Sequence, residues 1–254
     1  MDKELYNDSF MSQEQIEKLF SKIFPAEVGH NFENWFKLGK AHDKVYQRND
    51  KIGNLNVEEL VDSFYEWRYK TSYDKNPLTN PHSKFNEEDL ILFNKNNTKF
   101  CCTDATPFIE DPADFRTITM YERCPLLISP WNMSAAYEEF PSCDSEDKLI
   151  NLIVTDLLEL DPRSVKVTFD DDEVTGCCLI RNNCQSISEV PNNNAVGIPE
   201  DRLTKSKKTV NLCHAGLYCI FKPDILTPGD HLITLEAKGK NFRMKAKILA
   251  ILLV

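Results

Sequence analysis

The sequence predicts an α+β protein, a mainly antiparallel β-sandwich with an N-terminal helical region. Three observations carry this expectation. Beyond about residue 85 the apolar residues fall into short runs of strand length, separated by Asn, Asp and Pro. Strands and helices do not alternate as βαβ units, and no internal repeat is apparent. Helical periodicity is confined to the beginning and the middle of the chain. The expected division is a helical extension over 1–55 and a β-sandwich domain with an inserted helix over 56–254.

Ser12 and Gln15 form a capping signal, followed by Ile16, Leu19, Phe20, Ile23 and Phe24 at helical spacing up to Pro25. A short helix is expected around Asn31 to His42. Asn56 and Glu59 repeat the capping signal ahead of Val57, Leu60, Val61, Phe64 and Trp67, the clearest helix of the chain. Pro77 and Pro81 then impose an extended loop. Leu90 to Phe93, Thr98 to Cys102 and Phe115 to Met120 carry strand signals. Cys124 to Ser129 is apolar on both faces and suits a central strand closed by Pro130.

Asp144 is placed to cap a helix with Leu149, Leu152, Ile153 and Leu157, ended by Asp161-Pro162. Val165, Val167 and Phe169 predict a strand, Asp170 to Asp172 a hairpin turn, and Val174 to Ile180 its partner. Asn182 to Val210 is polar and loop-like, and a loop of that length is functional or mobile. Leu217, Cys219 and Phe221 alternate in a strand with one buried face that stops at Pro223. Thr227-Pro-Gly-Asp230 predicts a type II turn, with Gly229 taking the positive φ. The run from Phe242 to Val254 is a last strand that ends between two covered faces.

A net charge of −10 argues against nucleic acid and anionic membrane surfaces as partners. Lys205, Lys207 and Lys208 are better read as a solvated loop than as a basic patch. No apolar run approaches the ~20 residues of a membrane span. Nine cysteines without a visible secretory signal predict reduced, mostly buried thiols and a cytoplasmic location, with delivery into a host cell without a cleaved signal as the alternative. Their spacing follows no zinc pattern, so neither a metal nor another cofactor is expected.

Chemistry is sparsely marked. No GxSxG, Walker loop, GxGxxG or HExxH is present. His214 and His231 each sit near a strand end, and would form a metal or acid–base pair if those strands were neighbours. Cys213 and His214 point to opposite faces of one strand, which counts against a Cys–His dyad. Asp170 to Glu173 lacks the glycine and alternation of a calcium loop. Glu138 and Glu139, in a loop beyond Trp131-Asn132, are candidates for acid–base work on a glycan or peptide.

The order of motifs resembles a group of largely uncharacterised microbial proteins. It rests on Phe64-Tyr-Glu-Trp67, Asn76-Pro77-Leu78, Arg116-Thr-Ile-Thr, Leu126 through Asn132, Val165 through Asp170, Gly216-Leu-Tyr, and Leu226 through Ile233. The chain departs from that group in a thinner Trp-containing helix and in lacking a Cys-containing segment after Asn-Pro. The resemblance implies a β-sandwich and supplies no activity. The expected function is therefore recognition of a protein or carbohydrate through the loops Tyr73 to Asn86 and Asn182 to Val210, with Asn76, Trp131, Asn132 and Asn193 as candidate ligand-binding residues. The alternative is a hydrolase built on Glu138, Glu139, His214 and His231. Oligomeric state is left open.

Overall fold

The computed structural model describes residues 41–47, 50–75, 92–95, 98–104, 115–120, 122–157, 160–174, 178–181, 184–203, 208–239 and 243–253. The protein is α+β, mostly strand, with predominantly antiparallel sheets. The helices expected before residue 40 lie outside the described residues. From Ala41 onward the chain makes a 3-10 turn to Lys44 and a hairpin of β1 (Lys51–Ile52) and β2 (Leu55–Asn56). Val45 bridges to Phe221 and is buried in the core.

Helix α1 (Val57–Lys70) begins where the capping box predicts. The Glu59 amide donates to Asn56 Oδ1 and the Asn56 amide to Glu59 Oε2, both at 2.8 Å, so two otherwise orphaned donors are satisfied reciprocally. Its buried face carries Val57, Leu60, Val61 and Phe64 as expected, and also Ser63, Tyr65 and Tyr69, whereas Trp67, expected on that face, is only partly buried.

The larger sheet has the order β10 (Gln185–Ile187), β11 (Val210–Phe221), β6 (Leu126–Ala136), β4 (Thr98–Asp104), β3 (Leu92–Lys95), with β9 (Cys178–Arg181) also pairing β11. The second has the order β5 (Phe115–Met120), β13 (Arg243–Leu252), β12 (Gly229–Gly239), β7 (Leu160–Phe169), β8 (Asp172–Val174). Only β4 with β6 and β13 with β5 run parallel among the described strands.

Strand β11 is buried on both faces rather than one, so alternation understated its environment. Leu212, Tyr218 and Ile220 share a cluster with α1. Leu217, Cys219 and Phe221 join Ile233, Leu235, Ile248 and Ala250 of the second sheet in another. Nearer the start of the strand, Cys213 and Ala215 pack with Leu149, Ile150 and Ile153 of helix α2 (Glu146–Leu157). Each large aliphatic side chain so covered contributes about 1.5–3 kcal/mol.

Among the described residues two prolines lie inside strands, and both coincide with register shifts. Strand β6 runs through Pro130, where the pairing moves from Leu217↔Trp131 to Cys219↔Ile128. Strand β7 contains Asp161-Pro162, where the sequence predicts the end of the preceding helix, and its pairing with β12 shifts between Glu236 and Lys238. Proline has no amide to give a ladder, so a bulge accommodates it. In each case a nearby serine supplies polar contacts: Ser129 Oγ donates to Leu217 O at 3.0 Å, and Ser164 Oγ donates to Lys238 O at 2.9 Å.

Three other expectations are corrected. The segment Val174 to Ile180 is not one strand: β8 belongs to the second sheet and β9 to the first. Asn182 to Val210 is not a bare loop, since it holds β10, a 3-10 turn at Glu200–Arg202, and buried Val190, Ala195, Ile198 and Leu203. The thiols are not all reduced, because Cys184 and Cys213 form a disulfide; Cys124, Cys143 and Cys219 keep their thiols and are buried.

A hairpin turn lies where the sequence predicts one, but it is the two residues Asp170-Asp171, with φ of 50° and 67°, and Asp172 already belongs to the partner strand β8. Gly229 has the positive φ expected of it, +119°. His231 ties the two turns together. His231 Nε2 lies 2.9 Å from Thr227 O and 3.1 Å from the Thr227 amide, its Nδ1 lies 2.7 Å from Asp170 Oδ2, and the Leu232 amide donates to Asp170 Oδ1 at 2.8 Å. Asp170→Ala is expected to lower unfolding stability in urea by about 1.5 kcal/mol, since it removes two hydrogen bonds to a carboxylate and leaves alanine at positive φ.

Candidate functional site

Two regions bring predicted site residues together. The first is a polar seam between α1 and strands β6 and β11. The bulge at Ser129-Pro130 is lined by hydrogen-bonding groups: Asn132 Nδ2 donates to Ser129 Oγ at 2.9 Å, Tyr65 Oη donates to Asn132 Oδ1 at 3.0 Å, and the Tyr65 and Tyr218 hydroxyls lie 2.9 Å apart. Arg68 Nη1 approaches Asn132 Oδ1 at 3.4 Å. Gly216 faces Asn132 across this point, and a Cβ on it would lie 2.7 Å from both Asn132 Cβ and Trp131 O.

Along the same face, Ser134 pairs in register with His214, and its hydroxyl lies 3.3 Å from Tyr69 Oη. His214 stacks on Tyr65 with ring centres 4.0 Å apart, and its Nε2–H donates to Asp62 Oδ1 at 2.8 Å. Burial lowers the His214 pKa, and the Asp62 carboxylate opposes that shift only in part. Cys213, the next residue back, faces α2 instead, so the opposite-face prediction holds.

Glu139 stands at the seam's edge. Burial pushes its carboxyl up to about 7, against the opposing charge of Arg68, and its own charge helps raise the Tyr69 hydroxyl above its ordinary range. Glu138 is committed elsewhere, because both its oxygens accept from Asn211, one from the amide at 3.0 Å and one from Nδ2 at 3.2 Å. His231 lies on β12 and His214 on β11, which belong to different sheets. The pairing of strands on which a two-imidazole site depended does not occur. Trp131 packs against the buried cluster that includes Leu217, Cys219 and Phe221.

The second region joins the two loops expected to bind. Ser72 bridges Asn194; the Tyr73 amide donates to Asn193 O at 2.7 Å, and the Ala195 amide donates to Thr71 O at 3.2 Å. Asn193 Nδ2 donates to Asp74 Oδ1 at 3.0 Å. Asn194 anchors the second loop from within, its side chain bonding the Ile198 amide at 2.9 Å and Ile198 O at 2.8 Å. Above this frame Tyr73 is 51% exposed, beside exposed Asn193 and Asp74. Lys208 Nζ reaches Asn192 Oδ1 at 2.5 Å. Asn76 lies outside the described residues.

Asp62, Tyr65, Arg68 and Tyr69 were missed by sequence reasoning. Their spacing along α1 was available as a signal, but tyrosines at helical spacing look like ordinary packing until the sheet's polar residues are known to face them. Among the described residues no helix is long and apolar enough to cross a membrane. No protein-family model matches the chain, and a search of curated proteins finds no significant match.

Proposed function

We propose that the protein is a recognition module, a β-sandwich that binds a protein or carbohydrate through the paired loops at Thr71–Lys75 and Asn192–Ala195. The observation that carries this reading is the hydrogen-bonded joining of the two loops beneath an exposed tyrosine. An aromatic face flanked by amide and carboxylate groups offers stacking together with directional hydrogen bonds, which is the chemistry a sugar ring or an extended peptide requires. The sandwich itself is supported by a buried cluster to which both sheets contribute. Membership of the microbial group resembled by the motif order belongs to the same proposal. So does a cytoplasmic location, although the disulfide suits an oxidising destination better.

The test is a screen of glycan and peptide arrays, followed by titration of the strongest hit against Tyr73→Ala and Asn193→Ala. Each variant is expected to lose roughly tenfold or more in affinity while unfolding like the parent, as for a residue at the centre of an interface. Unchanged affinity in both variants would remove the loops from the account.

A second reading has its own observation. A carboxyl held near 7 beside Arg68 can exchange a proton at neutral pH, which fits a hydrolase acting on a glycan or peptide with Glu139 as the acid–base group. In that case Glu139→Gln would abolish turnover and spare loop binding.

A further inference from the structure

We infer that Cys184, Cys213 and Glu146 form a divalent zinc-type site that opens when the disulfide is reduced. The register of β10 on β11 pairs Gln185 with Leu212, so one step outward sets Cys184 opposite Cys213, with Cα atoms 4.3 Å apart. That is the spacing of a non-hydrogen-bonded antiparallel pair, whose side chains project together. The Glu146 carboxylate comes from the first turn of α2, and the Cys184 amide donates to its Oε1 at 3.2 Å. The two sulfurs and a carboxylate oxygen lie within 4.8 Å of one another.

Two thiolates and a carboxylate make a donor set suited to zinc, with a fourth tetrahedral position left for water. Zinc–sulfur bonds of about 2.3 Å put two coordinated sulfurs about 3.7 Å apart, a separation that facing strands allow once the covalent link is cut. The chemistry balances with a dithiol as reductant. The protein S–S bond breaks, a disulfide forms in the reductant, and its two protons pass to Cys184 and Cys213. Metal binding then releases those protons to solvent, the carboxylate of Glu146 entering already ionised. The site sits between β9 and β10, where β11 changes pairing partner, so the same two residues join that edge by a covalent bond or by an ion.

The experiment uses the full chain, oxidised or reduced with dithiothreitol that is then removed under anaerobic conditions, and titrates it with Co²⁺ and with Zn²⁺ against a chelator. Expected are one equivalent bound by the reduced protein, a thiolate-to-cobalt charge-transfer band, and none of either in the oxidised protein. Glu146→Gln, which leaves both cysteines in place, is expected to weaken binding roughly tenfold or more. Equal uptake by both redox forms, no charge-transfer band on reduction, or affinity unchanged in Glu146→Gln would overturn the assignment. Loss of binding in Cys143→Ser, a buried thiol of the same cluster, would overturn the three-ligand set.

Discussion

Gly216→Ala is expected to destabilise the protein by about 3 kcal/mol, at the upper end of what overpacking usually costs. The added Cβ would meet Asn132 Cβ and Trp131 O at 2.7 Å and Asn132 Cα at 2.8 Å. None of these is the free end of a flexible side chain, so β6 itself must move. That displacement would also pull Asn132 away from Tyr65 and Ser129, loosening the polar seam that packs α1 on the sheet. Gly197→Ala is the control. Its Cβ meets nothing within 4 Å, although φ is +76°, so the cost should be nearer ~1 kcal/mol. Urea unfolding of both variants separates crowding from backbone strain, and equal losses would refute the close-approach argument.

Glu139→Gln is expected to stabilise the protein above pH 7 by about 2 kcal/mol and to leave it unchanged near pH 4. The carboxyl titrates at about 7 in the folded chain, against a reference of 4.5. Because the folded value is the higher one, its contribution is fully present below 4.5 and is lost as pH rises through 7. Each tenfold change in proton affinity corresponds to about 1.4 kcal/mol, and partial exposure of the side chain reduces the total. His214 works in the opposite direction. Its folded pKa is lowered, so its contribution is present above about 6.5 and falls as the medium is acidified through the folded value. Unfolding from pH 4 to 9 should therefore show a wild-type loss on the alkaline side that the glutamine variant lacks. A variant profile parallel to the wild type would mean that folding leaves the proton affinity of Glu139 unchanged.

Local signals in the sequence are dependable where the physics is local. The Asn56/Glu59 box, the hairpin turn that starts at Asp170 and the positive φ of Gly229 each depend on neighbours within a few residues, and the sequence places each of them to within a residue. Failures occur where a distant strand decides. Pro130 and Pro162 read as terminators because nothing nearby announces a bulge, whereas the shifts that accommodate them are set by β11 and β12. Val174 to Ile180 has one composition but serves two sheets. The disulfide joins residues 29 apart in a chain with nine cysteines, and only the β10–β11 register singles out that pair.

The candidate sites divide in the same way. Asn193 is legible as a polar loop residue, but its bond to Asp74 spans 119 positions and has no sequence signature. Glu139 is legible as a carboxylate beyond a strand; the burial that distinguishes it from Glu138 comes from the folded surroundings. His214 and His231 are marked in the sequence as a pair on neighbouring strands, and the structure instead gives them Asp62 and Asp170 in separate places, because the strands that carry them belong to different sheets.

The most direct test of the recognition proposal is backbone hydrogen exchange with and without the best glycan or peptide from the array screen. Protection rising together at Thr71–Lys75 and Asn193–Ala195, with the seam around Glu139 unaffected, is the predicted result. Protection confined to Tyr137–Phe140 and the exposed edge of α1, with the paired loops unchanged, would contradict it and move the binding site to the seam.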